Sequence, residues 1–193
     1  MKIRITCTGT RPLLMHNVRL ASPLDPYVKK LKQLNAKVRK TDDDFAEISR
    51  WEFQGGLYHD ELIGPYLPAE MLLASLITGA RQIKAGQKVE RGVVVVEPIL
   101  PLIYDGPRDI EGLWGGGDSP FIDRRLVTVP PKRKVDRTRP IFRDWKIEAD
   151  LLVDTEAINK EDFVEVAKLA GQFCGLGDYR RLYGRFSTDL REL

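Results

Sequence analysis

Cysteine and histidine are both scarce. Only Cys7, Cys174, His16 and His59 occur in 193 residues. Two thiols cannot form a disulfide framework, and they fall short of the four ligands of a structural zinc site. Each lies within an apolar run, so two buried, reduced thiols are expected. Long hydrophobic runs are missing too: nothing approaches the ~18 apolar residues that a membrane span needs. The opening Met1-Lys2-Ile3-Arg4 is too polar for a signal peptide. The expectation is a cytoplasmic protein without a membrane partner. Whole-chain disorder is excluded, because 42% of the residues are hydrophobic and Leu, Ile, Val and Phe are plentiful.

Net charge is only +3, from 31 basic and 28 acidic residues, but the basic residues are segregated. Between Arg124 and Arg143 stand Arg124, Arg125, Lys132, Arg133, Lys134, Arg137, Arg139 and Arg143, with Asp136 as the only acid. The stretch 29–40 holds Lys29, Lys30, Lys32, Lys37, Arg39 and Lys40 and no acid. Arg180, Arg181 and Arg185 form a third cluster. A near-neutral chain with three basic segments has a polarised surface suited to a polyanion. The 124–143 segment also carries Phe142, with Phe121 and Trp145 nearby. Arginine mixed with aromatics is what a single strand uses: cations track phosphates and rings stack on bases.

Residues 2–8 alternate, with Ile3, Ile5 and Cys7 on one side, and predict a half-buried strand. Residues 27–40 predict a helix with an apolar stripe of Val28, Leu31, Leu34 and Val38. Thr41 before Asp42, Asp43 and Asp44 marks a second helix start, running to about Trp51. Pro68 opens a third helix, 68–84, with Leu72, Leu73, Leu76, Ile77, Ala80 and Ile83 on one face. Val93–Val96 reads as a buried strand continuing, with interruptions, to about Tyr104. Residues 105–144 read as irregular, with a short strand at 124–129 and a hairpin near 133–138. Residues 146–153 alternate again, a helix follows over 160–174 with Phe163, Val166, Ala167, Ala170 and Phe173 inward, and a last strand spans 183–189. With 16–66 taken as a helical insertion and 105–144 as a basic arm, the remaining order is β-α-β-β-α-β. This predicts a single α+β domain over 1–193 with a ferredoxin-like, RRM-like sheet: four antiparallel strands, two helices on one face, and the other face open.

Between the last helix and last strand lies Gly175-Leu176-Gly177-Asp178-Tyr179-Arg180-Arg181-Leu182-Tyr183-Gly184-Arg185-Phe186. Glycines at spacing two let backbone amides approach a phosphate, and here they adjoin arginines and a tyrosine. The loop closes a helix rather than opening one, so it is no dinucleotide fingerprint, and no Gly-Lys-Ser/Thr makes it a P-loop. A helix cap with a tight turn is the alternative reading. No cofactor or metal is expected.

The position of this loop, with Gly175, Gly177 and Gly184, resembles the glycine signature of the CRISPR-associated RAMP superfamily. Tyr66-Leu67-Pro68-Ala69-Glu70-Met71-Leu72-Leu73-Ala74-Ser75-Leu76 is similar to the opening of the first helix in guide-RNA-binding backbone subunits of that superfamily, with Ala69 and Glu70 in place of Gly-Ser. The arrangement also looks like small phage-type proteins near that superfamily. The resemblance implies a subunit that repeats along a strand, with 16–66 and 105–144 as finger and thumb. Its RNA-cutting branch implies His16 as the candidate base or acid. A cutting loop aspartate, as in some backbone subunits, would fall at Asp42, Asp43 or Asp44, which their helix-start role already explains.

The leading expectation is a non-catalytic binder of single-stranded RNA or DNA that forms a homo-oligomer along the strand or joins a larger complex. Lys29, Lys30, Lys32, Arg124, Arg125, Lys132, Arg133, Lys134, Arg137, Arg139 and Arg185 would hold the backbone. Trp114, Phe142 and Tyr179 would stack, and Gly175, Gly177, Arg180 and Arg181 would line a phosphate nest. The alternatives are a metal-independent endoribonuclease using His16, and an assembly protein whose basic arm meets an acidic helix start.

Overall fold

The alternation at residues 2–8 becomes strand β1 (Lys2–Gly9), with Ile3, Ile5 and Cys7 buried. The structure is a computed structural model that describes residues 1–129 and 131–193. After β2 (Leu13–Leu14) come helices α1 (Pro26–Ala36) and α2 (Asp42–Gly56). Thr41 caps α2 in a capping box, accepting from the Asp44 amide while the Asp44 carboxylate accepts from Thr41. Helix α1 is shorter than expected. It stops at Ala36, where the chain turns toward that cap, and Val38 is left exposed. Helix α2 is longer, because Gly55 and Gly56 form its last turn: a Cβ on Gly55 would meet Leu20 and one on Gly56 would meet Pro140.

Next come β3 (His59–Asp60), β4 (Gly64–Pro68), α3 (Ala69–Arg81), α4 (Gly86–Gly92), β5 (Val93–Val95) and β6 (Ile99–Pro101). The strand expected from Val93 to Tyr104 is therefore two strands. Beyond Pro98 the chain leaves the first sheet, and β6 pairs antiparallel with β4, Leu67 opposite Leu100. Helix α5 (Ile110–Trp114) precedes β7 (Ile122–Val129) and β8 (Arg133–Phe142). The last elements are β9 (Lys146–Val153), α6 (Lys160–Leu169) and β10 (Phe186–Glu192). No helix among the described residues is long and apolar enough to cross a membrane.

The molecule is thus mixed α+β with antiparallel sheets. The largest has the order β10-β1-β9-β5, with Ile5 opposite both Ala149 and Leu190. Its apolar face (Ile3, Ile5, Cys7, Ile147, Ala149, Leu151 and Val153) shares one buried cluster with Leu72, Leu76 and Ala80 of α3 and Phe163, Val166 and Ala167 of α6. Gly79 lets α3 approach α6 closely, since a Cβ there would lie 2.7 Å from the Ala170 amide nitrogen. The opposite face carries Lys2, Arg4, Glu148, Asp150, Asp189 and Arg191 by register, and Asp150 takes Lys2 at 3.1 Å and Arg4 at 2.7 Å. No aromatic residue occupies a position on that face, so it offers no ring for stacking.

Two expectations about α6 and 105–144 need correction. Phe173 is 60% exposed, not inward. The helix widens into a π turn over Ala170–Cys174, which shifts the register and turns Cys174 in instead. Residues 122–129 and 133–142 are not irregular: β7 and β8 pair along a long hairpin from Ile122 opposite Pro140 to Val129 opposite Arg133. The hairpin and the 16–66 segment are packed together rather than separate. Leu13 and Leu14 pair with Phe142 and Ile141 of β8, and Phe53, Leu57 and Tyr58 enter the same buried cluster as the large sheet.

Candidate nucleic-acid interface

Cross-strand register sorts the hairpin residues onto two faces. Asp123, Arg125 and Val127 share a face with Arg139, Arg137 and Val135, and Arg124, Leu126 and Thr128 share the other with Thr138, Asp136 and Lys134. The first face is half-buried and its cations are engaged. Arg125 donates to Asp123 at 2.7 Å and lies 5.0 Å from the Tyr183 ring. Its pKa is raised, first by the hydrogen bond to Asp123. Arg137 pairs with the buried carboxylate of Glu52, which also accepts from the Thr138 amide at 2.9 Å. Arg139 lies 3.4 Å from Asp178, with its side chain only 17% exposed. These arginines fasten the hairpin to α2 and to the glycine loop.

The second face is open toward the turn, beyond the buried Thr138. Arg124, Lys134 and the turn residue Lys132 are exposed, with no ion-pair partner among the described residues. The side chain of Arg133 and all of Pro130 lie outside the described residues. Two of the expected stacking rings are corrected. Phe142 is 0% exposed and packs on Tyr104, with ring centroids 4.8 Å apart, while Trp114 is 7% exposed and packs on Phe53 at 5.3 Å. Both are large rings in the common core, and burial there outweighs any role at the surface. The Arg124 guanidinium lies over the Trp114 ring, 5.6 Å from its centroid.

The glycine loop is built on backbone conformation. Gly175, Gly177 and Gly184 all have φ near +70°, in the left-handed region. A Cβ on Gly177 would lie 2.4 Å from the Leu14 carbonyl oxygen, and one on Gly184 would collide with that of Leu176. Four of the loop amides are used internally: Gly175 donates to Ala170, Leu176 to Gly184, Asp178 to Leu14 and Gly184 to Pro12. The glycines let the loop lie against β2. Gly175 and Gly184, whose amides are engaged, act as a helix cap and a tight turn.

Beyond Asp178 the loop turns outward. Tyr179 is a non-glycine residue at φ +47° and is 49% exposed, with Arg180 and Arg181 exposed beside it. A tyrosine held in that conformation stores strain of the kind found at ligand-contacting sites. Asp178 and Tyr183 tie this loop to Arg139 and Arg125 of the hairpin. On α1, Lys29 is exposed, and Lys30 pairs with Glu47 at 2.9 Å beside the Trp51 ring. Arg185 points elsewhere: it lines a groove between α6 and β10, where its Nη1 is buried with no partner among the described residues.

A cleft of about 390 Å³ lies where α1 faces the hairpin. Leu20, Val28, Leu31 and Val127 form its apolar lining, and His16, Lys32, Asn35, Glu52, Arg137 and Arg139 its polar lining. Arg139 Nε is buried and has no partner among the described residues. Desolvation lowers the His16 imidazole pKa. Asp178 and Glu52 oppose this, while Arg139 and Arg137 reinforce it. Glu52 escaped the sequence reading because it lies 85 residues from Arg137, and only the packing of α2 on β8 brings them together. His59 is pinned with its ring nitrogen 2.8 Å from the Arg108 carbonyl. Among the described residues, no group of three or more His, Cys, Asp or Glu could hold a metal ion. A scan against models of protein families and a search of curated proteins both return no match.

Proposed function

We propose that the protein is a non-catalytic subunit that binds single-stranded RNA or DNA and assembles repetitively along the strand. In this reading the β10-β1-β9-β5 sheet, with α3 and α6 between its strands in the chain, is a ferredoxin-like β-α-β-β-α-β unit. The order places the last strand beside the first and splits each β-α-β pair. The segments 16–66 and 105–144 are elaborations of that unit, as in the RAMP superfamily that the sequence resembles.

One observation carries the functional reading. The loop exposes Tyr179 with Arg180 and Arg181 beside it, and the hairpin packed against that loop exposes further cations, Arg124 and Lys134 on its far face and Lys132 at its turn. Cations beside an exposed ring suit phosphates and bases together. The half-buried arginines (Arg125, Arg137 and Arg139) hold the hairpin in place and contribute less to binding than sequence counting suggests.

Fluorescence anisotropy with single-stranded DNA and RNA of matched sequence, at two salt concentrations and with size analysis of the mixture, tests the reading. Salt-dependent binding and growth of a multi-subunit particle are expected. Lys132→Ala with Lys134→Ala is expected to weaken binding and reduce the salt slope by about 1.4–1.8, or roughly 0.7–0.9 per lost phosphate contact. An unchanged slope removes the hairpin from the interface. Oligomers that dissolve in high salt without nucleic acid would support the assembly-protein reading instead.

A further inference from the structure

We propose that the cleft between α1 and β8 holds one nucleotide unit, with its phosphate on Arg139 and Lys32 and its base against Leu31 and Val127. The proposal rests on the strand-binding reading in one respect: the hairpin that would hold the strand also forms a wall of this cleft. Three observations carry it. The cleft is amphipathic, with an apolar lining and a cationic one, which matches a flat base joined to a phosphate. Its volume, about 390 Å³, is at the small end of ligand pockets, which run from about 300 to 1,000 Å³. And Arg139 keeps a buried Nε–H without a partner.

That last point is specific. A buried donor left unsatisfied is costly, and guanidinium donors suit the oxygens of phosphate. Asp178 engages Arg139 from its Nη1 side, and Glu52 occupies Arg137. The carboxylates therefore leave the Nε edge of Arg139 and the exposed ammonium of Lys32 for an added anion. His16 lines the same cleft, and a phosphate beside it would favour the imidazolium.

The nucleotide can arrive free or as one unit of a bound strand, and calorimetric titration of the full chain distinguishes the two. The probes are adenosine and uridine 5′-monophosphate, inorganic phosphate, and a 15-nucleotide single strand. Leu31→Trp fills the cleft, Lys32→Glu reverses an exposed charge at its edge with little risk to folding, and Lys160→Ala on α6 serves as control. For a free nucleotide, monophosphate binding falls at least tenfold in Leu31→Trp and Lys32→Glu and not in Lys160→Ala. For a strand unit, the monophosphates do not bind measurably, yet both cleft variants weaken strand binding at least fivefold. Either result supports the cleft. Inorganic phosphate binding as well as the monophosphates would overturn the role of the apolar wall. Wild-type binding of every probe by both cleft variants would overturn the site. Failure of the wild type to bind the strand would sink the strand-binding reading separately, whatever the monophosphates do.

Discussion

In the four-stranded sheet, one face is wholly apolar at its centre and buried, and the other carries the charges together with exposed Leu152 and Val94. In the β7–β8 hairpin, cations occupy both faces. The sheet is held by burial against α3 and α6, with its ion pairs on the open side. The hairpin is held on one face by arginine contacts to Glu52, Asp178 and Tyr183 and leaves the cations of its other face without an ion-pair partner among the described residues. The same residue type therefore has two roles in one hairpin: inward arginines position it, and outward cations are available to a ligand.

The largest expected effect lies in the sheet half. Phe163 of α6 is fully buried in the common cluster. Phe163→Ala is expected to cost about 3–5 kcal/mol, read from the urea midpoint. A loss under about 1 kcal/mol would show that the sheet does not depend on that helix, and the contrast between the halves would fail.

A smaller effect is expected where the hairpin meets α2. Glu52→Gln keeps the side-chain shape but removes the charge opposite Arg137 and one strong acceptor for the Thr138 amide. The expected loss is about 1–3 kcal/mol. Hydrogen exchange localises it: the Thr138 amide should exchange faster, while amides of β1 and β9 keep the wild-type order of protection. Uniformly faster exchange would mean that the halves unfold as one unit and that the contrast is only one of composition.

The sheet half is also the more legible in sequence. The alternations over 2–8 and 146–153 and the apolar faces over 72–80 and 163–167 match buried positions, because burial from one side writes a period into the chain. The hairpin breaks that rule. Its half-buried face uses Asp123, Arg125, Arg137 and Arg139, so polar residues fall on both sides of the strand and the period of two disappears. Proximity of arginine to aromatics misleads for the same reason: Phe142 and Trp114 belong to the core, and nothing local distinguishes a core ring from a stacking one. Phe173 was legible as helical but not as outward, since a π turn shifts the phase without changing composition. In the glycine loop, Gly175, Gly177 and Gly184 stood out correctly as conformationally special. Their purpose, close approach to β2, depends on a strand more than 160 residues earlier.

The smallest effect concerns the open face of the sheet, where Asp150 joins Lys2 and Arg4. The Asp150 carboxyl is held below its ordinary pKa, first by the hydrogen bond from Arg4 and further by Lys2, against an opposing desolvation. In the unfolded chain this carboxyl takes up a proton at higher pH than in the folded protein, so acid favours unfolding. The contribution is complete above the ordinary carboxylate range and is lost as pH falls through that range toward the lowered folded value. Asp150→Asn lacks it at every pH. The difference in denaturation midpoint between wild type and variant should therefore be constant near neutrality and shrink in acid. Parallel curves down to the acid limit would show that the Lys2–Asp150–Arg4 cluster adds nothing. Asp44 sharpens the comparison, because its carboxyl is also held low, by Lys37 and by the Thr41 amide at the start of α2. If Asp44→Asn shows the same acid convergence while exchange of the β1 amides keeps its wild-type rate, electrostatic support in the two halves is local, as expected where partners are half-exposed and screened.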